Sequence, residues 1–312
     1  MIKRNYNVSS NNVPYIAAVL VTFNPDLNIF QEVINTISLQ VQYLIVIDNC
    51  SKNRLDISLF LNGKEGVVLL PQNNNIGLAA AQNIGIQYVK ENINATHVIL
   101  FDQDSIIKPY FISNLVNEEL GLISKGIKVG AIGPSFYDPD NNQDYPATVY
   151  IGPFIKRVKL GDNPVEATFL IASGCLINLN VLKNVGGMLE ELFIDYIDVE
   201  WSLRAKKFGY RLFITPKASM AHTIGDKRIS LFGRTVSCHS SFRRYFLVRN
   251  SFKMLRLPYI PIGYKVRETV FNFLRVIIGL ATSSDRKKFI KYTLAAFKDG
   301  FFGKFGPCKY NF

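Results

Sequence analysis

Val98-Ile99-Leu100-Phe101-Asp102-Gln103-Asp104-Ser105 is the stretch on which the reading of this chain turns. Four apolar residues in a row make a short buried strand, and two carboxylates with one residue between them follow at once. Two anionic side chains at the end of a core strand are costly unless a cation sits beside them. A divalent ion such as Mg²⁺ or Mn²⁺, itself holding phosphate oxygens, meets that need. Spacing alone leaves a second reading open, in which Asp104 caps a helix and Asp102 is solvated.

The same pattern precedes it three times. Tyr15–Thr22 is a near-continuous apolar run that ends in Phe23-Asn24-Pro25-Asp26, Tyr43–Ile47 ends in Asp48-Asn49-Cys50-Ser51, and Gly66–Leu70 leads into Asn73-Asn74-Asn75-Ile76-Gly77. Between the runs, Leu27–Leu39 and Leu78–Val89 place apolar residues at helical spacing. The order β-α-β-α-β-α-β predicts an α/β fold with a sheet covered on both faces by helices. Open sheets of this kind bind ligands outside the carboxyl ends of their strands, so Asn24, Asp48, Asn75, Asp102 and Asp104 are expected on one rim. Neither Gly-x-Gly-x-x-Gly nor a P-loop is present, which removes the usual dinucleotide and NTP fingerprints.

Taken as an ordered set, Val21-Thr22-Phe23-Asn24-Pro25, Asp48-Asn49-Cys50-Ser51, Asn75-Ile76-Gly77-Leu78-Ala79-Ala80-Ala81-Gln82-Asn83-Ile84-Gly85 and Asp102-Gln103-Asp104 resemble the family-two inverting glycosyltransferases of GT-A fold. More narrowly they are similar to the bacterial rhamnosyltransferase branch, and the resemblance runs from about Ile16 to His222. It implies a GT-A-type, Rossmann-like mixed sheet flanked by helices. It implies that Thr22, Asn24 and Asp48 hold the base and ribose of a nucleotide-sugar donor, with Asn75 and Gly77 lining the nucleotide side. Asp104 would bind Mg²⁺ or Mn²⁺, and Asp102 would reach the ribose or the ion. Asn83 falls inside a helix pattern and reads as structural.

A second cluster follows a segment, Tyr137–Pro164, that reads as loop with short strands and equally as a lid for the acceptor or a tolerated surface insertion. The cluster contains Thr168–Cys175, Val185-Gly186-Gly187-Met188 and Phe193-Ile194-Asp195-Tyr196-Ile197-Asp198-Val199-Glu200-Trp201-Ser202-Leu203-Arg204. Carboxylates in the first turn of a helix suit its dipole, so a structural role is open to all three. By the resemblance one of them is the base that deprotonates the acceptor hydroxyl. Aligned on Trp-Ser-Leu-Arg the base is Asp198, with Asp195 as the alternative because Ile197 stands where a Glu is common. His222, after the strand Arg211–Thr215, is expected to reach the metal or the diphosphate.

Composition bounds the rest. The net charge of +12 is uneven: residues 1–200 carry 13 Lys and Arg against 20 Asp and Glu, and residues 201–312 carry 23 against 4. A basic tail of that kind implies an anionic partner. Interleaved aromatic and basic residues over 242–256, an apolar stripe over 265–281 and a second amphipathic run from Arg286 suggest helices that lie on an anionic membrane surface. The other reading packs those stripes on the catalytic domain or in a homo-oligomer. No nucleic-acid motif accompanies the tail. Cys50, Cys175, Cys238 and Cys308 are too scattered for a disulfide framework or a zinc site. The expected organisation is an N-terminal segment 1–13, a catalytic domain 14–235 with a nucleotide half 14–107 and an acceptor half 108–235, and a basic helical region 236–312. The expected function is rhamnosyl transfer from dTDP-L-rhamnose to a lipid-linked glycan acceptor, in the cytoplasm and peripheral on the inner membrane face. The alternatives are a phosphatase of haloacid-dehalogenase type, with Asp102 as nucleophile, and a non-catalytic sugar-nucleotide or membrane-surface binding module.

Overall fold

The computed structural model describes residues 14–138, 143–221, 227–231, 234–238, 240–283 and 285–312. The chain runs β1 (Ile16–Thr22), α1 (Leu27–Ser38), β2 (Tyr43–Asp48), α2 (Arg54–Leu61), β3 (Val67–Pro71), α3 (Leu78–Asn92), β4 (His97–Asp102), α4 (Phe111–Ile123) and β5 (Val129–Tyr137). A hairpin of β6 (Ala147–Ile151) and β7 (Phe154–Val158) follows, then β8 (Val165–Ala167), β9 (Cys175–Asn178) and α5 (Leu179–Val185). The last part comprises α6 (Ile197–Lys207), β10 (Arg211–Ala221), β11 (Lys227–Leu231), β12 (Arg234–Cys238), α7 (Ser241–Arg256), α8 (Ile262–Thr282) and α9 (Arg286–Phe301).

Eight strands form one mixed sheet in the order β3-β2-β1-β4-β9-β5-β10-β8. β1 to β4 are parallel, β9 runs antiparallel between β4 and β5, β10 is parallel to β5, and β8 closes the edge antiparallel to β10. The near-continuous apolar runs are what such a sheet demands, because both faces are buried. Along β1, Ala17, Val19 and Val21 face one core with α3, α5 and α6, while Ile16, Ala18 and Leu20 face a second with α1, α2 and α4. α3 lies so close to the sheet that any Cβ on Gly85 would strike Val19 and Ile47.

One boundary differs from the sequence reading. Pro216 does not end its strand: β10 continues to Ala221, and a register shift between Thr215 and Ser219 accommodates the missing donor. The short strands expected within the segment Tyr137–Pro164 include the β6–β7 hairpin.

α7 also departs from expectation. Its aromatic residues Tyr245 and Phe246 point inward with Arg249, which is completely buried, rather than presenting a basic face to solvent. Phe246 stacks on Phe193 at 5.1 Å between ring centroids, and the Arg249 guanidinium lies 4.8 Å from the Phe246 ring. A buried guanidinium needs a full set of acceptors. Arg249 finds them in the carbonyls of Gly306 and Leu192 and in Asn250 Oδ1.

Candidate active site

Register places the carboxyl ends of four strands level with one another: Val21 pairs with Asp102, Thr22 with Asp48, and Asp48 with Pro71. The polar residues expected on one rim therefore do share it. Their hydrogen bonds show which are turned to the cleft and which are spent on the scaffold.

Thr22 is fully buried, and its hydroxyl donates to Gln103 Oε1 at 3.0 Å. The same oxygen accepts from the Phe23 N–H at 2.7 Å, so the residue between the two aspartates ties β4 to the end of β1. Asn24 is exposed at φ 49° and cross-links the first two turns. It donates from its backbone to Ser51 Oγ at 2.8 Å and accepts at Oδ1 from the Lys52 N–H at 2.8 Å. Asp48 is fully buried, accepts from the Ser51 N–H at 3.1 Å and pairs with Arg54 at 2.7 Å. Asn75 is exposed and bridges Asn49, at 3.1 Å, to the Gly77 N–H, at 3.0 Å. Gly77 has φ 87°, and a Cβ there would lie 2.5 Å from Cδ2 of Phe193. Its requirement for glycine comes from the Phe193 ring against the start of α3, where the Phe193 carbonyl also accepts from Leu78 N–H at 2.7 Å.

β4 ends at Asp102, with Asp104 exposed in the turn beyond it. The Asp102 N–H faces the hydroxyls of Ser105, at 3.2 Å, and Ser173, at 3.4 Å. Burial, then the charges of Asp104 and Asp198, push the Asp102 carboxyl up to about 7, and Arg243 opposes the shift. Asp198 sits in the first turn of α6, where its Oδ1 accepts from the Val199 N–H at 2.8 Å. Burial raises it to about 6, with Asp195 adding to the rise and the N–H groups of Val199 and Ala172 opposing it. Ser173 and Ala172 thus attach the second motif cluster to both ends of the site.

Asp195 lies in a turn where Phe193, Asp195 and Tyr196 all have φ between 62° and 66°. Its carboxylate is held by Arg243 of α7, at 3.2 and 3.3 Å. Glu200 is fully buried and bonded to Arg204 at 2.8 Å and to the Tyr259 hydroxyl. Asn83 bonds both backbone groups of Met188, at 2.9 and 2.7 Å for the carbonyl and N–H, a structural role as expected. His222 lies outside the described residues.

Among the described residues no three His, Cys, Asp or Glu side chains gather closely enough to hold a metal by themselves. The oxygen donors present, Asp104 and Asp102, fit an ion that takes its remaining ligands from water and phosphate, as Mg²⁺ and Mn²⁺ do. Burial first, and then the charges of Asp104 and Asp198, raise the Asp102 carboxyl, and a divalent cation beside it would offset both.

Three contributors escaped the sequence reading. Gln103 looked like a spacer, and Arg54 lies six residues from the carboxylate it pairs with. Arg243 was part of a general positive field. Only the last bears directly on the carboxylate cluster.

This architecture, with its carboxylates after β4 and at the start of α6, is that of a GT-A glycosyltransferase. Residues 18–185 match the family described as Glycosyl transferase family 2, and the chain belongs to that family. The dTDP-rhamnosyl transferase RfbF of Shigella flexneri is 35% identical over 299 residues, which cover 95% of this chain and 98% of the relative. Among solved structures, GalNAc-T7 with UDP, GalNAc and Mn²⁺ superposes with a TM-score of 0.56 at 16% identity, covering 93% of this chain and 58% of that one. TarS of S. aureus gives 0.55 at 13% identity, covering 92% of this chain and 48% of the other. At such identities these two likenesses speak for the fold alone. The phosphatase alternative is set aside by the family match.

Proposed function

We propose that the protein transfers L-rhamnose from dTDP-L-rhamnose, with inversion, to a hydroxyl of a lipid-linked glycan at the cytoplasmic membrane face. One observation carries the chemistry: Asp102 at the end of β4 and Asp198 at the start of α6 are near enough for the charge of one to act on the other. The choice of sugar rests on the relative that spans almost the whole chain.

In this reading Asp198 is the general base. Burial that raises its carboxyl to about 6 strengthens it as a proton acceptor while leaving it mostly ionised at neutral pH. The two N–H groups hold one face of the carboxylate and fix its direction. Asp195 is the poorer candidate because Arg243 already occupies its carboxylate. The acceptor oxygen, relieved of its proton by Asp198, attacks the anomeric carbon from the face opposite the nucleotide, so a single displacement inverts the centre. On the donor side, Asn24, Asp48, Asn75 and Gly77 shape the rim for base and ribose. Asp104, with Asp102, would hold Mg²⁺ or Mn²⁺. Bound there, the ion supplies charge stabilisation to the departing diphosphate.

A thermal-shift screen of nucleoside diphosphates with and without Mn²⁺ tests the donor. dTDP with Mn²⁺ is expected to stabilise the protein selectively, and Asp104→Ala should lose the Mn²⁺-dependent part. Selective stabilisation by UDP or GDP would displace rhamnose. Asp198→Asn should lower kcat by about 10²–10⁴-fold with dTDP binding unchanged. A larger loss in Asp195→Asn would move the base there.

A further inference from the structure

α8 is built inside out. At about 100° per residue, Ile262, Val266, Val270, Phe273, Leu274 and Ile277 fall within an arc of roughly 120°. All six are exposed, from 43% at Leu274 to 79% at Ile262. The opposite arc carries Tyr264, Glu268, Asn272 and Gly279, all buried. That inner face is tied down by polar contacts. Glu268 accepts from the Tyr196 hydroxyl at 2.6 Å and pairs with Arg267 and Arg275 at 2.9 Å each, while Asn272 bonds Ser251 Oγ. Rotating the helix to hide the apolar arc would break this network, so the arc stays outward. Single exposed apolar residues are ordinary, but six on one continuous helical face mark an interaction surface.

Charge identifies the occupant. Arg286, Lys287 and Lys288 open α9 and are exposed, as are Lys291 and Lys298 further along it. The acids of residues 240–312 are Glu268, Asp285 and Asp299, and Glu268 and Asp299 are buried, at 2% and 5% exposure. The outward charge of these helices is therefore strongly positive. A second copy of the chain would meet it with the same sign, whereas an anionic lipid surface meets it with the opposite one.

We propose that the outer face of α8, with the Arg286–Lys288 turn and Ile290 and Leu294 of α9, docks on an anionic lipid bilayer. The apolar arc enters the headgroup–acyl boundary, and the Lys and Arg side chains pair with lipid phosphates. No helix among the described residues is long and apolar enough to cross a membrane, in keeping with a helix that lies on one. The inner face of α8 grips Tyr196, next to Asp195 and two residues from Asp198, so docking holds the acidic turn about one helix diameter, ~10 Å, from the lipid. This deepens the reading of a lipid-linked acceptor and rests on it for its purpose.

The test is co-sedimentation of the full chain with vesicles of phosphatidylcholine, with and without 20 mol% phosphatidylglycerol, at low and high salt. Wild type should bind the anionic vesicles, release in high salt, and ignore the neutral ones. Val270→Asp combined with Phe273→Asp and Ile277→Asp should lower binding at least tenfold, as should Arg286→Glu with Lys287→Glu and Lys288→Glu. Both variants should keep the wild-type melting temperature and transfer to a water-soluble acceptor. Wild type that binds neither vesicle, or variants that bind as wild type does, overturn the proposal. So does a wild-type dimer by light scattering that the α8 variant dissociates. Vesicle binding in a protein that transfers no rhamnose supports the docking face and overturns the donor reading alone.

Discussion

Asp102 carries opposing demands in a single side chain. Burial and two neighbouring carboxylates disfavour its charge, so its carboxyl rises from 3.8 to about 7 on folding. Between those two values the folded state holds a proton that the unfolded state has released. Stability contributed at this position therefore falls as pH rises from about 4 through about 7, then levels off. Asp102→Asn removes that dependence, and the metal-free variant is expected to melt at a higher temperature than wild type at pH 8 and at nearly the same temperature at pH 4. Melting curves across that range, with EDTA present, check it. A variant less stable than wild type at pH 8 would show that Asp102 is stabilised as an anion. The neighbouring positions divide differently. Asp48 is the more deeply buried of the two, but Arg54 stands against it at 2.7 Å. Its partner was not legible because a run of four polar residues, Asp48–Ser51, looks the same whether its carboxylate faces a ligand or an arginine six residues on.

Among the described residues, strained backbone is most concentrated in the turn between the short helix at Glu190–Leu192 and α6. Three non-glycine residues there, Phe193, Asp195 and Tyr196, adopt left-handed backbone, at on the order of 1–3 kcal/mol each. α7 supplies what holds them. Asn250 Nδ2 reaches the carbonyls of Leu192 and Ile194 at 2.8 Å and of Asp195 at 3.3 Å, and Arg249 reaches Leu192 at 3.2 Å. Bonds of this kind contribute about 1 kcal/mol each, and buried carbonyls left without them cost more. Asn250→Ala is therefore expected to destabilise by about 2–3 kcal/mol and to lower kcat more than donor affinity, because the turn carries Asp195 and leads into Asp198. Unfolding curves and steady-state kinetics measure both; wild-type values in each would remove the clamp. Strands and helices were legible because apolar period reports burial directly. The clamp was not, because Arg249 and Asn250 sit in a basic stretch whose charge says nothing about which way one guanidinium points. β10 likewise ran past Pro216 because a bulge, which depends on the partner strand, absorbed the residue that should have ended it.

At the scale of the molecule, the polar rim of β1 to β4 and the acidic turn come from different halves of the chain and meet because β9 is inserted antiparallel between β4 and β5. The family match stops at residue 185, yet the relative at 35% identity covers 95% of the chain, tail included. Packing explains why the tail travels with the catalytic sheet. Tyr245, Phe246, Val248 and Met254 of α7 are all at or below 3% exposure, and Tyr245 also donates to Asp299 of α9 at 2.7 Å. Four such side chains are worth about 1.5–3 kcal/mol each, together on the order of the whole stability of a domain. The tail thus has an inner helix that braces the acidic turn and an outer one whose apolar side stays exposed. A chain ended at residue 239 is expected to lose cooperative unfolding and to stop binding dTDP, since Phe193 and the turn behind it would stand open. Circular dichroism on heating, with a nucleotide titration alongside, decides the matter. A sharp transition with dTDP affinity intact would make the three C-terminal helices a separable appendage, and the α7 contacts with Leu192, Ile194 and Asp195 would then be a consequence of the active-site geometry rather than its support.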